Sequence, residues 1–418
     1  MEEKIKVNVN SEIGELEAVI IHSPGPELEN MNPSNAERAL YSDILNLAVA
    51  SREYDEFRNV LSKLTRTFEV NDLLEQTISD PAVKDAFIRK ILKDDDNYPV
   101  LDNLMKLDEK ELTRQVIEGV PLIKNNLTKF LSNERYILQP LHNFFFTRDA
   151  SVSIGGNVLI SRMASKIRER EAMIMETVFD HNPLFETKTY NPANSIEFDP
   201  NISIEGGDII VASEDTILVG IGNRTTSQGI DYLLEKNRKR KTLKNIIVQE
   251  LPSKPESFIH LDMVFTFLDR NLCMIYEPVI MNPNKFRTVH ISIENGEVAG
   301  ITEGTNIPDI LRKIGWDIET VNCGGKADIW VQEREQWHSG ANFFAVGPGK
   351  LLGYGRNIHT IEEINKKGYE IIKASDVIKE RVNPLNYDKF VITIKGSELS
   401  RGGGGCRCMT MPVSRKPI

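Results

Sequence analysis

The sequence predicts an α/β fold of repeated ββαβ units, with a small all-helical insertion in its first third. From about residue 143 onward, paired strand patterns alternate with helical patterns. The helix ends at Gly315 and Gly368 continue into nearly the same aromatic–acid–Ile sequence, which indicates a repeat of roughly 40–60 residues. Strand patterns are missing between residues 72 and 131. A radial arrangement of such repeats would gather their loops around a central axis, where sites commonly form.

The first predicted strand spans residues 16–22 and stops at the sequence SPGP. Helices are expected between residues 38 and 64. In the insertion, Asp80 and Pro81 mark one helix start, and Asp108 begins another that stops at Gly119. We therefore divide the chain into a repeat domain, formed by residues 1–71 and 132–418, and a helical insertion at residues 72–131.

The remaining sequence shows hairpin and helix patterns in turn. The predicted hairpins join residues 208–212 to 216–220, 263–267 to 272–276, and 342–346 to 350–354. Helices are expected at residues 227–239 and before Gly315 and Gly368, each of the last two followed by a strand, at 316–318 and 369–372. Residues 391–394 form one more predicted strand, so the glycine-rich segment after it follows ordered structure.

Composition excludes several classes of protein. The net charge of −10 disfavours nucleic acid as a main partner and favours small cationic ligands. No segment is long and apolar enough to span a bilayer, and the charged N-terminus is not a secretory signal. Four cysteines among 418 residues do not form a disulfide framework. We expect a cytoplasmic protein without a membrane partner.

The segment SRGGGGCRCMTMP at residues 400–412 is the first candidate site. Consecutive glycines permit positive φ and close approach of a ligand, and a basic residue lies beside the thiol of Cys408. The simpler alternative is a flexible tail with two incidental cysteines, Cys406 and Cys408. A reactive thiol would need partners from distant segments.

Three acidic segments could supply those partners. NFFFTRD at residues 143–149 ends in an Arg-Asp pair, and EGGD at 205–208 places two glycines between two acids. HLD at 260–262 precedes an apolar run, and in an extended strand His260 and Asp262 would face the same side. The alternatives are a surface ion pair, a solvated turn and a structural histidine, respectively.

Carboxylates around a thiol suit a cationic electrophile. Ester or amide chemistry needs hydrogen-bond donors for a developing oxyanion, which carboxylates do not supply. A guanidinium instead pairs with carboxylates in bidentate geometry and presents its central carbon to a thiolate. Histidine would protonate the departing nitrogen and then activate water. The predicted substrate is therefore a guanidine.

In this combination the chain resembles the arginine deiminase family, within the superfamily of guanidino-group-modifying enzymes, over nearly its whole length. The segments that carry the resemblance are SEIGEL at 11–16, HSPG at 22–25, FTRD at 146–149, EGGD at 205–208, HLD at 260–262, REQW at 334–337 and RCMTMP at 407–412. The resemblance implies a five-bladed α/β propeller with the helical insertion. It also implies hydrolysis of L-arginine to L-citrulline and ammonia through a covalent cysteine adduct, without metal or cofactor.

The resemblance also implies roles for individual residues. Cys408 would be the nucleophile, with Cys406 beside it. His260 would be the general acid and base, held and polarised by Glu205. The substrate-binding residues would be Asp149 and Asp262 for the guanidinium, Asn143, Arg168 and Arg224 for the α-carboxylate, and Asp208 for the α-amino end. We further expect a homo-oligomer.

Two kinds of alternative stay open. A related enzyme could act on methylated arginine, agmatine or an amidino donor, although Arg168 and Arg224 are of no use to agmatine, which lacks a carboxylate. A catalytically silent binding protein on the same fold would be expected to lack at least one group of the mechanism, and this chain has all five. The five are Cys408, His260, Glu205, Asp149 and Asp262. The chain also departs from the family at Gly403, where many relatives carry Arg or Met. His142 stands where proline is common.

Overall fold

The computed structural model describes residues 3–33, 35–92, 98–195, 199, 201–281, 283–326 and 328–418. Its strands are β1 (Ile5–Lys6), β2 (Leu16–Ile21), β3 (Arg66–Glu69), β4 (Val120–Pro121), β5 (Tyr136–Leu138), β6 (Ser151–Ile154), β7 (Asn157–Ile160), β8 (Phe185–Glu186), β9 (Lys188–Tyr190), β10 (Ile209–Ser213), β11 (Thr216–Ile221), β12 (Asn245–Glu250), β13 (Phe265–Asp269), β14 (Leu272–Ile275), β15 (Thr288–Glu294), β16 (Glu297–Gly304), β17 (Glu319–Asn322), β18 (Phe344–Gly347), β19 (Lys350–Tyr354), β20 (Glu370–Lys373), β21 (Phe390–Ile394) and β22 (Met411–Arg415).

The helices lie between these strands and along the first third of the chain. They are α1 (Pro26–Glu29), α2 (Leu47–Leu64), α3 (Val70–Thr77), α4 (Pro81–Ile91), α5 (Tyr98–Met105), α6 (Glu109–Glu118), α7 (Leu127–Leu131), α8 (Glu169–His181), α9 (Ser227–Asn237), α10 (Glu277–Ile280), α11 (Ile307–Lys313), α12 (Ile329–Trp337), α13 (Ile358–Asn365) and α14 (Ala374–Ile378). No helix in the described part of the chain is long and apolar enough to cross a membrane.

The larger sheets are mixed and share one design. Their strand orders are β22-β2-β3, β6-β7-β9, β10-β11-β12-β15-β16, β13-β14-β17 and β18-β19-β21-β20. In each, two antiparallel strands are followed by a third that runs parallel to the second. One or more helices connect the parallel partners, as such a crossover requires. The predicted α/β fold is confirmed.

The helical region after β3 comprises α3 to α7, and residues 93–97 of the predicted insertion lie outside the described residues. Asp80 and Asp108 accept hydrogen bonds from backbone N–H groups in the first turns of α4 and α6, as the capping patterns predict. Apolar side chains of this region, such as Phe87 and Leu112, share one core with Val178 of α8 and Ile20 of β2. The helices are therefore packed directly against the first sheet.

The structure corrects two strand predictions. Residues 260–262 are not extended, because a 3-10 helix spans Leu261–Met263 and β13 begins only at Phe265. Side chains of Asp208 and Asn342 bond the backbone of Leu261 and Asp262, and such bonds compete with a sheet ladder.

The second correction concerns the strand expected at residues 316–318, which begins instead at Glu319. Trp316 closes the end of α11 with an N–H bond to the Leu311 carbonyl, and its ring packs on Phe267. Of the helices expected at 38–64, only α2 forms, from Leu47 onward. The hairpin of β15 and β16 was not predicted, because most of its residues are only partly buried or exposed and its pattern is weak.

The fold gives each of the five larger sheets a turn just before its first strand. Asp149, Asp208, Asp262, Asn342 and Cys408 lie one to three residues ahead of β6, β10, β13, β18 and β22, respectively. These turns hold equivalent places in their sheets and contact one another, as the bonds described below show. The candidate site lies where they meet.

Candidate active site

One cavity brings together most of the residues that the sequence singled out. Cys408, His260, Asp149 and Arg224 line it. Among the described residues, its lining is Leu40, Tyr41, Ser42, Asn143, Phe146, Asp149, Arg168, Arg224, Glu256, Ser257, Ile259, His260, Trp337, Ser400, Arg401, Gly402, Gly403, Gly404 and Cys408. The three remaining predicted residues, Glu205, Asp208 and Asp262, are buried directly behind these walls.

The thiol of Cys408 is buried next to a carboxylate. Its Sγ lies 3.6 Å from Oδ2 of Asp262 and 3.9 Å from the sulfur of Met263. Burial raises the pKa of this thiol well above its ordinary value, and the charges of Asp262 and Asp149 raise it further. Cys406 is also buried, and burial raises the pKa of its thiol too, but it does not line the cavity. Of these two thiols, only that of Cys408 therefore faces the cavity.

The glycine run forms part of the cavity wall, so the alternative of a flexible tail is wrong. Gly403 has a φ of 83°, in the left-handed region, and a Cβ there would meet no atom within 4 Å. Gly404 has a different reason: a Cβ would lie 2.5 Å from the ring of Phe146. One glycine provides the turn, and the other lets the loop pack on the aromatic wall.

His260 is held between two carboxylates. Its Nε2 is 2.9 Å from Glu205 Oε2 and its Nδ1 is 3.5 Å from Asp149 Oδ1. Burial lowers the pKa of the imidazole, but Asp149, Glu205 and Asp208 together raise it to about 9. Burial acts to raise the pKa of Glu205, yet its hydrogen bond with His260 and nearby arginines bring it down to about 2. The pair is therefore an imidazolium–carboxylate at neutral pH.

A glycine leaves the space that the His260 ring occupies. A Cβ on Gly207 would lie 2.5 Å from Nδ1 of His260, so no larger residue fits between the EGGD turn and the ring. The sequence suggested that His260 and Asp262 face the same side of a strand, and the structure shows that they do not. The 3-10 helix sends the imidazole toward Glu205 and the Asp262 carboxylate toward Cys408.

The first aspartate of the cavity belongs to a group that we call the Asp149 cluster, consisting of Asp149, Arg168 and Glu171. Arg168 Nη1 donates to Asp149 Oδ2 at 2.8 Å, while its Nε and Nη2 donate to Glu171. The other oxygen of Asp149 accepts no hydrogen bond from a described residue. All three side chains are buried, which rules out the surface ion pair as the alternative for Asp149.

The second aspartate belongs to the Asp262 cluster, consisting of Asp262, Arg407 and Glu12. Arg407 Nη1 donates to Asp262 Oδ2 at 2.8 Å, and its Nε and Nη2 donate to Glu12 at 3.0 and 2.9 Å. Burial acts to raise the pKa of Glu12, but Arg407 and other arginines lower it to about 2. The basic residue beside Cys408 thus fixes the aspartate that faces its thiol.

Three predicted substrate-binding residues differ in whether they line the cavity and in which groups their side chains already contact. The guanidinium of Arg224 lines the cavity 3.8 Å from Glu205. Asn143 lines it too, with its amide donating to the Ala39 carbonyl. Asp208 lies outside the lining, where Oδ1 accepts the N–H of Leu261 at 2.9 Å and burial raises its pKa to about 7. Its role toward an α-amino group stays a prediction.

Several residues at or beside the cavity had no predicted role. Glu12 lies in the opening SEIGEL segment, and Trp337 of the REQW segment lines the cavity from the end of α12. Glu171 follows Arg168 by three residues, the spacing of a helical ion pair, and that spacing could have revealed it. Arg170, in the same charged run, bonds the Gln139 carbonyl and does not line the cavity.

Comparisons with known sequences identify the family of this chain. A family model described as arginine deiminase matches residues 37–415. An arginine deiminase of Listeria monocytogenes serovar 1/2a is 33% identical over 429 residues, covering 99% of this chain and 98% of the relative. An arginine deiminase of Bacillus cytotoxicus is 30% identical over 435 residues, covering 99% of this chain and all 100% of the relative.

Solved structures show the same fold at lower identity. An amidinotransferase from Microseira wollei superposes with a TM-score of 0.53 at 13% identity, covering 99% of this chain and 98% of that one. The N-terminal domain of a cyanobacterial arginine dihydrolase, bound to its substrate, gives 0.53 and 13% over 96% and 99%. These two likenesses concern the fold alone. The family model and the full-length relatives go further: the chain belongs to the arginine deiminase family.

Proposed function

We propose that this chain hydrolyses L-arginine to L-citrulline and ammonia through a covalent adduct on Cys408. One observation carries the proposal: a single cavity joins a buried thiol, an imidazolium and carboxylates that suit a planar cation. The names of the full-length relatives support the same reaction.

The substrate would lie along the cavity with its guanidinium between Asp149 and Asp262. Asp149 offers an oxygen that is free of hydrogen bonds among the described residues. At the other end, Arg224 would meet the α-carboxylate together with Asn143. Arg168, which the resemblance assigns to the same α-carboxylate, would instead orient Asp149 at the guanidinium end, because its donors are bound to carboxylates.

Binding of the cation would activate the nucleophile. In the free protein, burial and two aspartates hold the thiol of Cys408 protonated because they raise its pKa. A guanidinium placed between those aspartates adds a positive charge beside the sulfur, which favours the thiolate. The thiol proton passes to solvent, so the thiolate forms only when substrate is present.

The reaction then proceeds in two halves. The thiolate forms a C–S bond to the guanidinium carbon, and His260 gives its proton to the leaving nitrogen as the C–N bond breaks and ammonia departs. The neutral imidazole next takes a proton from water, whose oxygen bonds to the same carbon. The C–S bond breaks as the carbonyl of citrulline forms, and the hydroxyl proton returns to the thiolate. Glu205 stabilises the imidazolium in both halves.

The test is release of the ureido product by the purified protein, Cys408→Ala and Cys406→Ala, which is citrulline from arginine and Nω-methylarginine and N-carbamoylputrescine from agmatine. We expect arginine to be the preferred substrate, Cys408→Ala to abolish release of the ureido product and Cys406→Ala to retain it. Activity that survives in Cys408→Ala and is lost in Cys406→Ala would overturn the assignment of the nucleophile. Preference for agmatine or methylarginine would overturn the assignment of the substrate.

We also propose that the five larger sheets are the blades of a five-bladed α/β propeller. Their common strand order and the side-chain contacts between their first turns support this arrangement. Residues 72–131 would be its helical insertion between the segments 1–71 and 132–418. The homo-oligomer stays a prediction, which light scattering on the purified protein would measure.

A further inference from the structure

One of the five turns has no role in the chemistry described so far. The turns before β6, β10, β13 and β22 carry Asp149, Glu205 with Asp208, His260 with Asp262, and Cys408. The turn before β18 carries Asn342 at the equivalent place, and the side chain of Asn342 is 1% exposed. Among five equivalent positions, this is the one that carries a neutral amide.

The side-chain oxygen of Asn342 bonds the turn before β22, which carries Cys408. Its Oδ1 accepts the backbone N–H of Arg407 at 2.9 Å and the backbone N–H of Cys408 at 3.1 Å. A Cβ on Gly405 would lie 2.7 Å from Cβ of Asn342, so the last glycine of the run is what lets the two segments approach. The N–H groups of Arg407 and Cys408 thus share one amide oxygen, while the Cys408 carbonyl accepts the N–H of Arg148.

The nitrogen of the same amide reaches the opposite wall. Its Nδ2 donates to the carbonyl of Asp262 at 3.1 Å. Gln336, a few residues earlier, donates from its amide to the carbonyls of Ser257 and Met263. The segment from the end of α12 to β18 therefore supports the turn that carries His260 and Asp262, through Gln336 and Asn342. Of these two side chains, only that of Asn342 also bonds Cys408.

We propose that Asn342 is a positioning residue, whose side-chain amide fixes the backbone of Cys408 relative to the Asp262 turn and so sets the distance between sulfur and carboxylate. The residue type follows from this task. Oxygen must accept two N–H groups while nitrogen donates to a carbonyl, which aspartate cannot do. A carboxylate there would also add a negative charge where a thiolate must form. This inference rests on the proposed function for its kinetic consequences.

The kinetic test compares Asn342→Ala and the nearly isosteric Asn342→Asp with wild type. We expect kcat for arginine to fall about 100-fold in both, since displacement of a reacting group by about 1 Å costs that much, while KM changes by less than about threefold. Asn237→Ala is the matched control, because Asn237 is also buried and bonds the Leu233 carbonyl, but lies in α9 away from the cavity. It should lower the melting temperature and leave kcat at the wild-type value.

A second measurement needs no substrate. The rate of Cys408 alkylation by iodoacetamide, followed by peptide mass spectrometry across pH, gives the apparent pKa of the thiol in the presence of its charged neighbours Asp262, Asp149 and Arg407. We expect the pH of half-maximal rate to rise in Asn342→Asp, which adds a carboxylate. It should fall in Asn342→Ala, which lets the sulfur move away from Asp262.

The outcomes are distinct. Unchanged kcat and unchanged alkylation profiles in both variants would overturn the proposal. Loss of activity that merely follows loss of folded protein in both variants, with Asn237→Ala equally affected, would overturn it as well. If wild type releases no citrulline but the two profiles shift in opposite directions, the proposed reaction fails and the positioning role of Asn342 stands.

Discussion

The Asp149 and Asp262 clusters are built alike and differ in the charges around them. Each consists of an arginine with one nitrogen 2.8 Å from an aspartate and its other donors on a glutamate. Burial raises the pKa of Glu171 in the first cluster, and the charges of Asp149 and Glu205 add to the rise although Arg168 opposes it. In the second cluster Arg407 and other arginines lower the pKa of Glu12 to about 2.

The difference assigns the two walls of the cavity different tasks. The Asp149 wall has an excess of negative charge, which attracts a cation and raises the pKa of His260. The Asp262 wall has an excess of positive charge, because Arg148 and Arg415 lie near Arg407. Burial and that neighbour lower the pKa of Arg148 to about 9 and that of Arg415 to about 10. On that side Arg407 opposes the rise in the pKa of the Cys408 thiol, which burial, Asp262 and Asp149 cause.

The largest expected effect is on catalysis. Asp149→Asn and Asp262→Asn should each lower kcat/KM for arginine by about a thousandfold, because each removes a buried charge that pairs with the guanidinium. The measurement is steady-state citrulline release. A loss smaller than about tenfold in either variant would show that the two aspartates do not share the cation.

The stability of the two clusters should differ. Glu12→Gln should lower the free energy of unfolding at pH 7 by about 3 kcal/mol, the cost of breaking a buried charge pair. Glu171→Gln should cost only about 1 kcal/mol, because the raised pKa of Glu171 means that its ionised form is already disfavoured. Urea denaturation measures both.

The pH dependence of the Glu12 effect has a definite sign. The pKa of Glu12 is about 2 when folded and 4.5 ordinarily, so its stabilisation is complete above pH 4.5 and is lost as pH falls through 2. The difference between wild type and Glu12→Gln should therefore shrink between pH 5 and pH 2. Equal losses for Glu12→Gln and Glu171→Gln would remove the contrast between the clusters.

His260 provides a test of the Asp149 wall alone. Its pKa is about 9 when folded and 6.5 ordinarily, so its stabilisation is complete below pH 6.5 and is lost as pH rises through 9. Wild type should lose about 3 kcal/mol of unfolding free energy from pH 6 to pH 10 by this route. The loss should be smaller in Asp149→Asn and unchanged in Asp262→Asn. Calorimetry at a series of pH values decides between these outcomes.

The smallest expected effect concerns the thiol. Both aspartates raise the pKa of Cys408, and Asp262 contributes more. Asp262→Asn should therefore lower the midpoint of the alkylation profile by about one pH unit, and Asp149→Asn by less. The reverse order would mean that Asp149, not Asp262, is the nearer charge in solution.

Much of the site was predictable because its groups come in short segments with distinctive chemistry. Cys408, His260 and Asp149 were identified from such segments, and all three line one cavity, as does Arg224, which only the family resemblance implied. The contacts of Glu12 were not predictable, since its partner Arg407 lies at the other end of the chain. Only the folded sheets bring those two residues together.

The two misplaced strands have different causes. The turn at residues 260–262 depends on a distant segment, because the Asp208 carboxylate accepts the Leu261 N–H, and local patterning does not contain such information. The late start of β17 follows from a local bond, in which the Trp316 N–H closes the end of α11 on the Leu311 carbonyl. The α-helical and hairpin periodicities, which are local, predicted α9, α13 and β19 correctly.

The pairing of β22 with β2 has a consequence for synthesis on the ribosome. Ile20 lies opposite Met411, so an early strand has no partner until the segment around Met411 has been translated. Contacts so distant in sequence form slowly, and an unpaired strand edge invites association with other chains. Translation that terminates before Met411 would yield a product with an open edge in its first sheet and a Cys408 segment that no strand holds in place.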